Sequence, residues 1–337
     1  MADASRTDNK STLDLFSSVT IQGLVDSEPF VLQRTISFPS RLASYYKKWI
    51  HHCSMQCHPI PKHGRHLHLR LGELIGIGRD SHVYGVHVLN ITSNSSIGSD
   101  SQDAQPQPDL NLPDLCIKLV EPDKPRSLAR EAWFYEQLDK MGLQGVAAPR
   151  NYGLFTAHCP FSQVIPWRTE DWFFRQEGRD AASYEGIQFD RQCYEPEDDI
   201  PLYDDDHGSN VNSQWKTFLQ DSESPIVSLM LLERLGETLQ PESRKKPFCG
   251  KATRQDIKDV LEDISWSGFE HQDLRCNQFA RAIHPTPCPR HGRAHEWHIL
   301  DFQCIVRVSA TDDDRKELKR ISQRVVDLKY FWCLSLC

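Results

Sequence analysis

From residue 69 onward the apolar positions fall into short blocks whose period switches between two and 3.6. Residues 69–76 and 83–89 read as two strands joined by a glycine-containing turn. The stretch 90–114 is Ser, Asn, Gln, Pro and Asp, a solvated loop with too few apolar residues to offset its ordering entropy. Leu115-Cys116-Ile117-Lys118-Leu119-Val120 is a short apolar strand carrying one lysine. A helix is predicted over 127–141, with Leu128, Ala132, Tyr135 and Leu138 recurring at spacings of four and three and Ser127 as its cap. Residues 156–225 read as a long acidic insertion, disordered over about 184–213. A strand at 226–232 and a helix at 253–266 follow, the helix placing Ile257, Val260, Leu261 and Ile264 on one face. Residues 279–283 and 297–302 read as a hairpin around a Pro/His-rich loop. A last amphipathic helix spans 316–332, with Leu318, Ile321, Val325 and Leu328 as its stripe. Before residue 68 the pattern is mixed, with one helix around 41–52.

A chain of 337 residues is one large domain or two lobes. Its net charge is 39 − 47 = −8, which argues against nucleic acid as the main partner, because phosphate binding needs a basic surface. No run approaches 18 apolar residues, so no membrane span is expected. The first residues lack the apolar centre of a signal peptide, and the eleven Cys form no framework. Reduced thiols in an intracellular protein, cytoplasmic or nuclear, are the simplest reading.

Chemistry enters at the first hairpin. Gly76-Ile77-Gly78-Arg79-Asp80-Ser81-His82-Val83 has small residues where a backbone turn would approach phosphates, and Val83 would cover an adenine ring. Two glycines in a turn are also ordinary. Lys118 in an apolar strand is either a snorkelling edge residue or an ammonium aimed at phosphates. Glu131 lies on the helix face of Leu128, Tyr135 and Leu138, and an inward carboxylate there needs a cation; Glu136 falls off that stripe. Leu231-Leu232-Glu233-Arg234-Leu235 ends a strand and turns. The stretch Gly268-Phe269-Glu270-His271-Gln272-Asp273-Leu274-Arg275-Cys276-Asn277-Gln278 follows a helix. Asp301 closes an apolar strand, where a bare carboxylate is costly unless a metal offsets it.

Taken in order, these elements resemble the eukaryotic protein-kinase signature set, over about residues 69–306. Leu143-Gln144-Gly145, Pro149 and Tyr152-Gly153 look like a segment of fungal kinase-like proteins. The resemblance implies an α+β, two-lobed protein-kinase-like fold with a reduced C-terminal lobe. It implies an extension at 1–67, an upper lobe at 68–235 built as an antiparallel sheet with insertions at 90–114 and 156–225, and a lower lobe at 236–337. Gly76, Gly78 and Ser81 match the phosphate-covering loop. Lys118 matches the strand lysine, Glu131 its helix partner, and Glu233 and Leu235 the hinge. His271-Gln272-Asp273-Leu274-Arg275 matches the catalytic loop, and Asp301-Phe302-Gln303 the metal-binding turn. ATP with Mg²⁺, or Mn²⁺, is the implied cofactor pair, with Asp301 and Gln278 as metal ligands, Asp273 as base, Arg275 beside it, and a protein or small molecule as acceptor. Gln278 stands where the family has Asn, and Gln303 where it has Gly. Only 337 − 301 = 36 residues follow Asp301, too few for the usual lower-lobe helices. The chain is therefore expected to be truncated or to have a compact lower lobe. The second reading is a pseudokinase that binds nucleotide or acts as a scaffold.

One rival site stands apart. Cys288, His291, His295 and His298 crowd one loop, and His51, His52, Cys53, Cys57 and His58 another. Cys288 with His291, and His291 with His295, have spacings used by zinc sites; the alternative is a polar surface loop.

Overall fold

The computed structural model describes residues 11–26, 29–39, 42–43, 56–78, 81–93, 110–121, 124–159, 163–164, 215, 226–239, 250–271, 273–308 and 312–327. The architecture is mixed α/β. Seven strands close into a barrel: β1 (Phe16–Gln22), β2 (Phe30–Arg34), β4 (Arg65–Ile77), β5 (Ser81–Thr92), β6 (Leu115–Val120), β7 (Asn151–His158) and β8 (Ile226–Glu233). β3 (Leu42–Ala43) lies outside it. Around the barrel the order is β1-β2-β7-β8-β6-β5-β4, antiparallel throughout except where β1 meets β4 in parallel.

The expected antiparallel sheet is closed on itself, and β1 and β2, from the segment before residue 68, complete the ring. The expected helix around 41–52 is also replaced in part, since Leu42 and Ala43 are β3; 44–52 lies outside the described residues. The strand content of β1 was masked by its Ser and Thr: Ser18 and Thr20 are buried too, each bonding one ring nitrogen of His66, at 2.6 and 2.7 Å.

Strand β6 explains how a lysine occupies an apolar strand. All six of its residues are buried. Leu115, Ile117 and Leu119 point into the barrel core, while Cys116 and Val120 join the second core outside it. Lys118 shares that outer face by the two-residue period.

Helix α1 (Pro125–Lys140) covers the outer face. It starts two residues before the expected Ser127 cap because Pro125 fits the first turn, where its missing N–H costs nothing. Trp133, Phe134, Tyr135 and Leu138 are all within 1 % of full burial, so α1 is enclosed rather than amphipathic at the surface. Gly142 ends it with a φ of 69°, and Leu143 N–H returns to the Leu138 carbonyl at 2.8 Å.

Below α1 lie α2 (Lys251–Trp266), β9 (Phe269–His271), β10 (Phe279–Arg281), β11 (Pro287–Cys288), β12 (Arg293–Ala294), β13 (Trp297–Ile299), β14 (Ile305–Val308) and α3 (Asp312–Asp327). The expected hairpin is present as β10 against β13. β14 pairs with β9 and with β3, and α3 lies on α2, joined by Lys258–Asp327 and Lys319–Glu262, both at 2.7 Å. Within the expected loop 90–114, Asn90 to Thr92 belong to β5; the segment 184–213 lies outside the described residues. Trp215 is 1 % exposed, and its indole N–H donates to the Ile36 carbonyl at 2.7 Å.

Candidate functional site

The register across three barrel strands sets the first residues of the site on one face. Val83 lies opposite Lys118, and Lys118 opposite Met230, so the three side chains share one face. Val83 is partly buried against the outer core. Lys118 Nζ donates to Glu131 Oε2 at 2.7 Å and to Asp301 Oδ1 at 2.9 Å. The structure thus brings Lys118 and Glu131 together. Glu136 is buried as well, but on another side of α1, where it accepts from Ser37 Oγ and from His58 N–H, each at 2.7 Å.

The three charges shift one another. Burial pulls Lys118 down, yet Asp301 and Glu131 outweigh it and hold the ammonium well above its ordinary value. Burial pushes Glu131 up, opposed by Lys118. Burial also pushes Asp301 up, but Lys118, His271 and Gln278 win and keep its carboxyl low. The side chains of Lys118 and Glu131 are 8 % and 1 % exposed, while that of Asp301 is 42 % exposed. The triad is thus closed behind and open in front.

Asp301 is the described non-glycine residue with a positive φ, at 62°. That region is unfavourable for a residue with a Cβ, and surrounding bonds must hold it. His271 Nε2–H donates to the Asp301 carbonyl at 3.0 Å, Lys118 holds the carboxylate, and Phe302 anchors the next position against Tyr135, ring centroids 4.8 Å apart. His271 Nδ1 is buried without a hydrogen bond, and burial lowers the ring's pKa, which favours the form that carries its proton on Nε2, facing the carbonyl.

Asp273 lies close enough to His271 to act on the same ring as Asp301 does. Arg275 Nε donates to Asp273 Oδ1 at 2.8 Å. Gln278 departs from its expected role. Its Oε1 accepts from the Arg275 backbone N–H at 2.8 Å, closing the short helical turn between Arg275 and Phe279, and its amide acts on Asp301. The longer side chain folds back as a cap, so its carbonyl is already engaged. Asp301 and Asp273 supply hard oxygen donors that fit Mg²⁺ or Mn²⁺; the carbonyl of Gln278 does not extend that set.

The hinge and glycine turn are mixed. Glu233 has a fully buried side chain, bonded to Arg150 Nη1 at 2.9 and 2.8 Å, so its carboxylate faces the fold and not a ligand. Leu235 is half-buried just after it. Gly78 is required by close approach: its N–H donates to the Ser81 carbonyl at 2.7 Å, and a Cβ there would lie 2.8 Å from Ser81 Oγ. Gly76 has room, since its Cβ would meet Val83 at 3.7 Å. Ser81 is 5 % exposed and turned toward Gly78.

Of the two His/Cys clusters, the second lies mostly outside the described residues. In the first, Cys288, His291 and His295 converge, joined by Asp263 from α2, which the sequence reading missed. His298 does not join them. It is buried on β13 without a partner for either ring nitrogen. Asp263 and Asp256 sit seven residues apart, two turns on one helix face, and that spacing was the signal available.

No protein-family model matches the sequence, and no curated protein matches it. Among solved structures, the chain is similar to a ROP18 kinase domain in complex with AMP-PNP and sucrose, at a TM-score of 0.36 and 11% identity, over 77% of this chain. The chain spans 63% of that chain's length. No described helix is long and apolar enough to cross a membrane.

Proposed function

We propose that this chain is a kinase-like phosphotransferase that binds ATP in the cleft beneath β4 and β5 and passes its γ-phosphate to a hydroxyl acceptor. The observation that carries the reading is the Lys118–Glu131–Asp301 triad, which joins a barrel strand, a helix and a strained strand end. An ammonium has three protons; Glu131 and Asp301 take two, and the third is left for an anion at the open side. Glu131 orients Lys118. Val83 would cover the base, and the backbone at Glu233 to Leu235 would meet its edge. Asp301 and Asp273 would hold Mg²⁺, which supplies neutralisation of phosphate charge. Asp273 would accept the proton of the attacking hydroxyl, with Arg275 holding its carboxylate in place. Catalysis of this kind rests on positioning and charge, and the triad positions before substrate arrives.

A second reading, a pseudokinase that binds nucleotide without turnover, is favoured by the inward-folded Gln278 and by the pairing of Asp273 with Arg275. The experiment that separates them is ATP binding by calorimetry beside ADP release with Mg²⁺ and Mn²⁺, on the full chain and on Asp301→Asn and Asp273→Asn. Turnover lost in Asp273→Asn with binding retained supports the enzyme. Binding without turnover in every form supports the pseudokinase. No binding in the full chain sinks both.

A further inference from the structure

The four ligand atoms of Asp263, Cys288, His291 and His295 all lie within 4.8 Å of one another. Cys288 Sγ is 3.1 Å from Asp263 Oδ2 and 3.4 Å from His291 Nδ1. His295 Nε2 is 3.1 Å, and His291 Nδ1 3.6 Å, from the same Asp263 oxygen. A tetrahedron with zinc bond lengths of about 2.0–2.3 Å has edges of about 3.3–3.8 Å; the spacings of 3.4 and 3.6 Å fall inside that range and those of 3.1 Å just below it, so small side-chain adjustments would complete a coordination shell.

Hydrogen bonding alone leaves His291 with a weak partner. The Cys288 thiol and the His295 ring, each at 3.1 Å, fill the two lone pairs of Asp263 Oδ2, and the His291 ring is left to the Cys288 sulfur at 3.4 Å. The other oxygen of Asp263 already accepts from Arg290 Nε at 3.0 Å. Meanwhile β11 and β12 are two residues each, joined by a turn in which Gly292 N–H returns to the Cys288 carbonyl at 2.9 Å. So short a hairpin has little stability of its own.

We propose that Asp263, Cys288, His291 and His295 bind one zinc ion at a closed, structural site, independent of the cleft around Lys118. Thiolate, two imidazoles and a carboxylate are zinc donors, and four protein ligands leave no open position for catalysis. A thiolate and a carboxylate carry two negative charges, which a divalent ion cancels; this suits a place where Asp263, Cys288 and His295 are 2 %, 1 % and 0 % exposed. The outer shell is built as well. His295 Nδ1 lies 3.1 Å from Asp256 Oδ1, the carboxylate–histidine arrangement that fixes the ring of a zinc ligand. Asp256 is itself held by the backbone N–H groups of Glu296 at 2.8 Å and Trp297 at 3.1 Å. The ion would staple the β11–β12 hairpin to α2, and with it the start of β13, which runs on to Asp301.

The test is metal content and cobalt substitution in the full chain. Purified without chelator, the protein is expected to carry one zinc per chain. After zinc removal and Co²⁺ addition it should show intense tetrahedral d–d bands and a thiolate-to-cobalt charge-transfer band. Cys288→Ala should lose the charge-transfer band, and Asp256→Asn should weaken Co²⁺ binding about 10–100-fold while leaving that band in place. If Cys288→Ala does not fold, His291→Gln serves, at the partly exposed ligand, with weaker binding and an altered d–d spectrum expected. A folded wild-type chain that holds no zinc and takes up no stoichiometric Co²⁺ overturns the proposal, leaving an ion network with His295 protonated between two carboxylates.

Discussion

Around Lys118, one cation of the chain sits between carboxylates from two elements, at 2.7 and 2.9 Å, and the group they form is exposed at Asp301. Around Asp263 the arrangement is inverted: one carboxylate oxygen gathers a thiol and two imidazoles, and three of the four residues are sealed from water. Buried charge must be paired in either case. In the first the chain supplies the counter-charge itself and leaves one carboxylate exposed. In the second, under the zinc proposal, part of the counter-charge would come from an ion. The same rule of charge compensation would then separate a site that exchanges its ligand from one that retains it.

The sharpest break of that comparison is Lys118→Met, which leaves two carboxylates without their cation. We expect destabilisation of about 3–5 kcal/mol by urea unfolding, and loss of any thermal shift with ATP. Adding Glu131→Leu to Lys118→Met should recover part of the stability but none of the shift; a shift that survives would remove Lys118 from the binding site. Next in size is metal removal. With free zinc at about 100 times its Kd, chelation should destabilise the full chain by about 2.7 kcal/mol, and the Cys288→Ala variant should not respond. Calorimetry with and without chelator reads this directly. Smaller still is Gln278→Asn, which gives up the cap on Arg275 and frees the position for a shorter amide. If the chain is an enzyme, turnover with Mg²⁺ should rise about tenfold, worth about 1.4 kcal/mol in barrier, with ATP affinity changing less. The smallest effect contrasts the two glycines of the β4–β5 turn. Gly78→Ala should cost about 1 kcal/mol and weaken ATP binding, because its Cβ would meet Ser81 Oγ, whereas Gly76→Ala should be near neutral.

What was legible in the sequence was what local period encodes. β6, α1, β8 and α2 were expected within a few residues of where they lie, and the pairing of Lys118 with Glu131 followed from a helix stripe and the cost of an unpaired inward carboxylate. What was missed depends on distant pairing. β1 reads Phe16-Ser17-Ser18-Val19-Thr20-Ile21-Gln22, a stretch that read only as mixed, because the partner of Ser18 and Thr20, His66, is far along the chain. Asp263 was not singled out in the sequence, because Cys288 and His295 come against it only when β11 and β12 fold onto α2. Gln278 was read by position in a motif, where its extra methylene decided the outcome: it reaches back to Arg275.

Barrel closure has a consequence for how the protein is made. β1 begins at Phe16, yet the ring lacks its last member until β8 ends at Glu233, 233 − 16 = 217 residues later. At about 5–20 residues per second, the ribosome takes about 10–40 s to deliver that strand. Until β8 arrives, β7 can pair with β2 on one side only, and the edges of β6 and β7 that face β8 have no neighbour. A nascent chain with two open strand edges is a natural client for chaperones, and the time spent waiting is set by the genetic distance between neighbours in the ring.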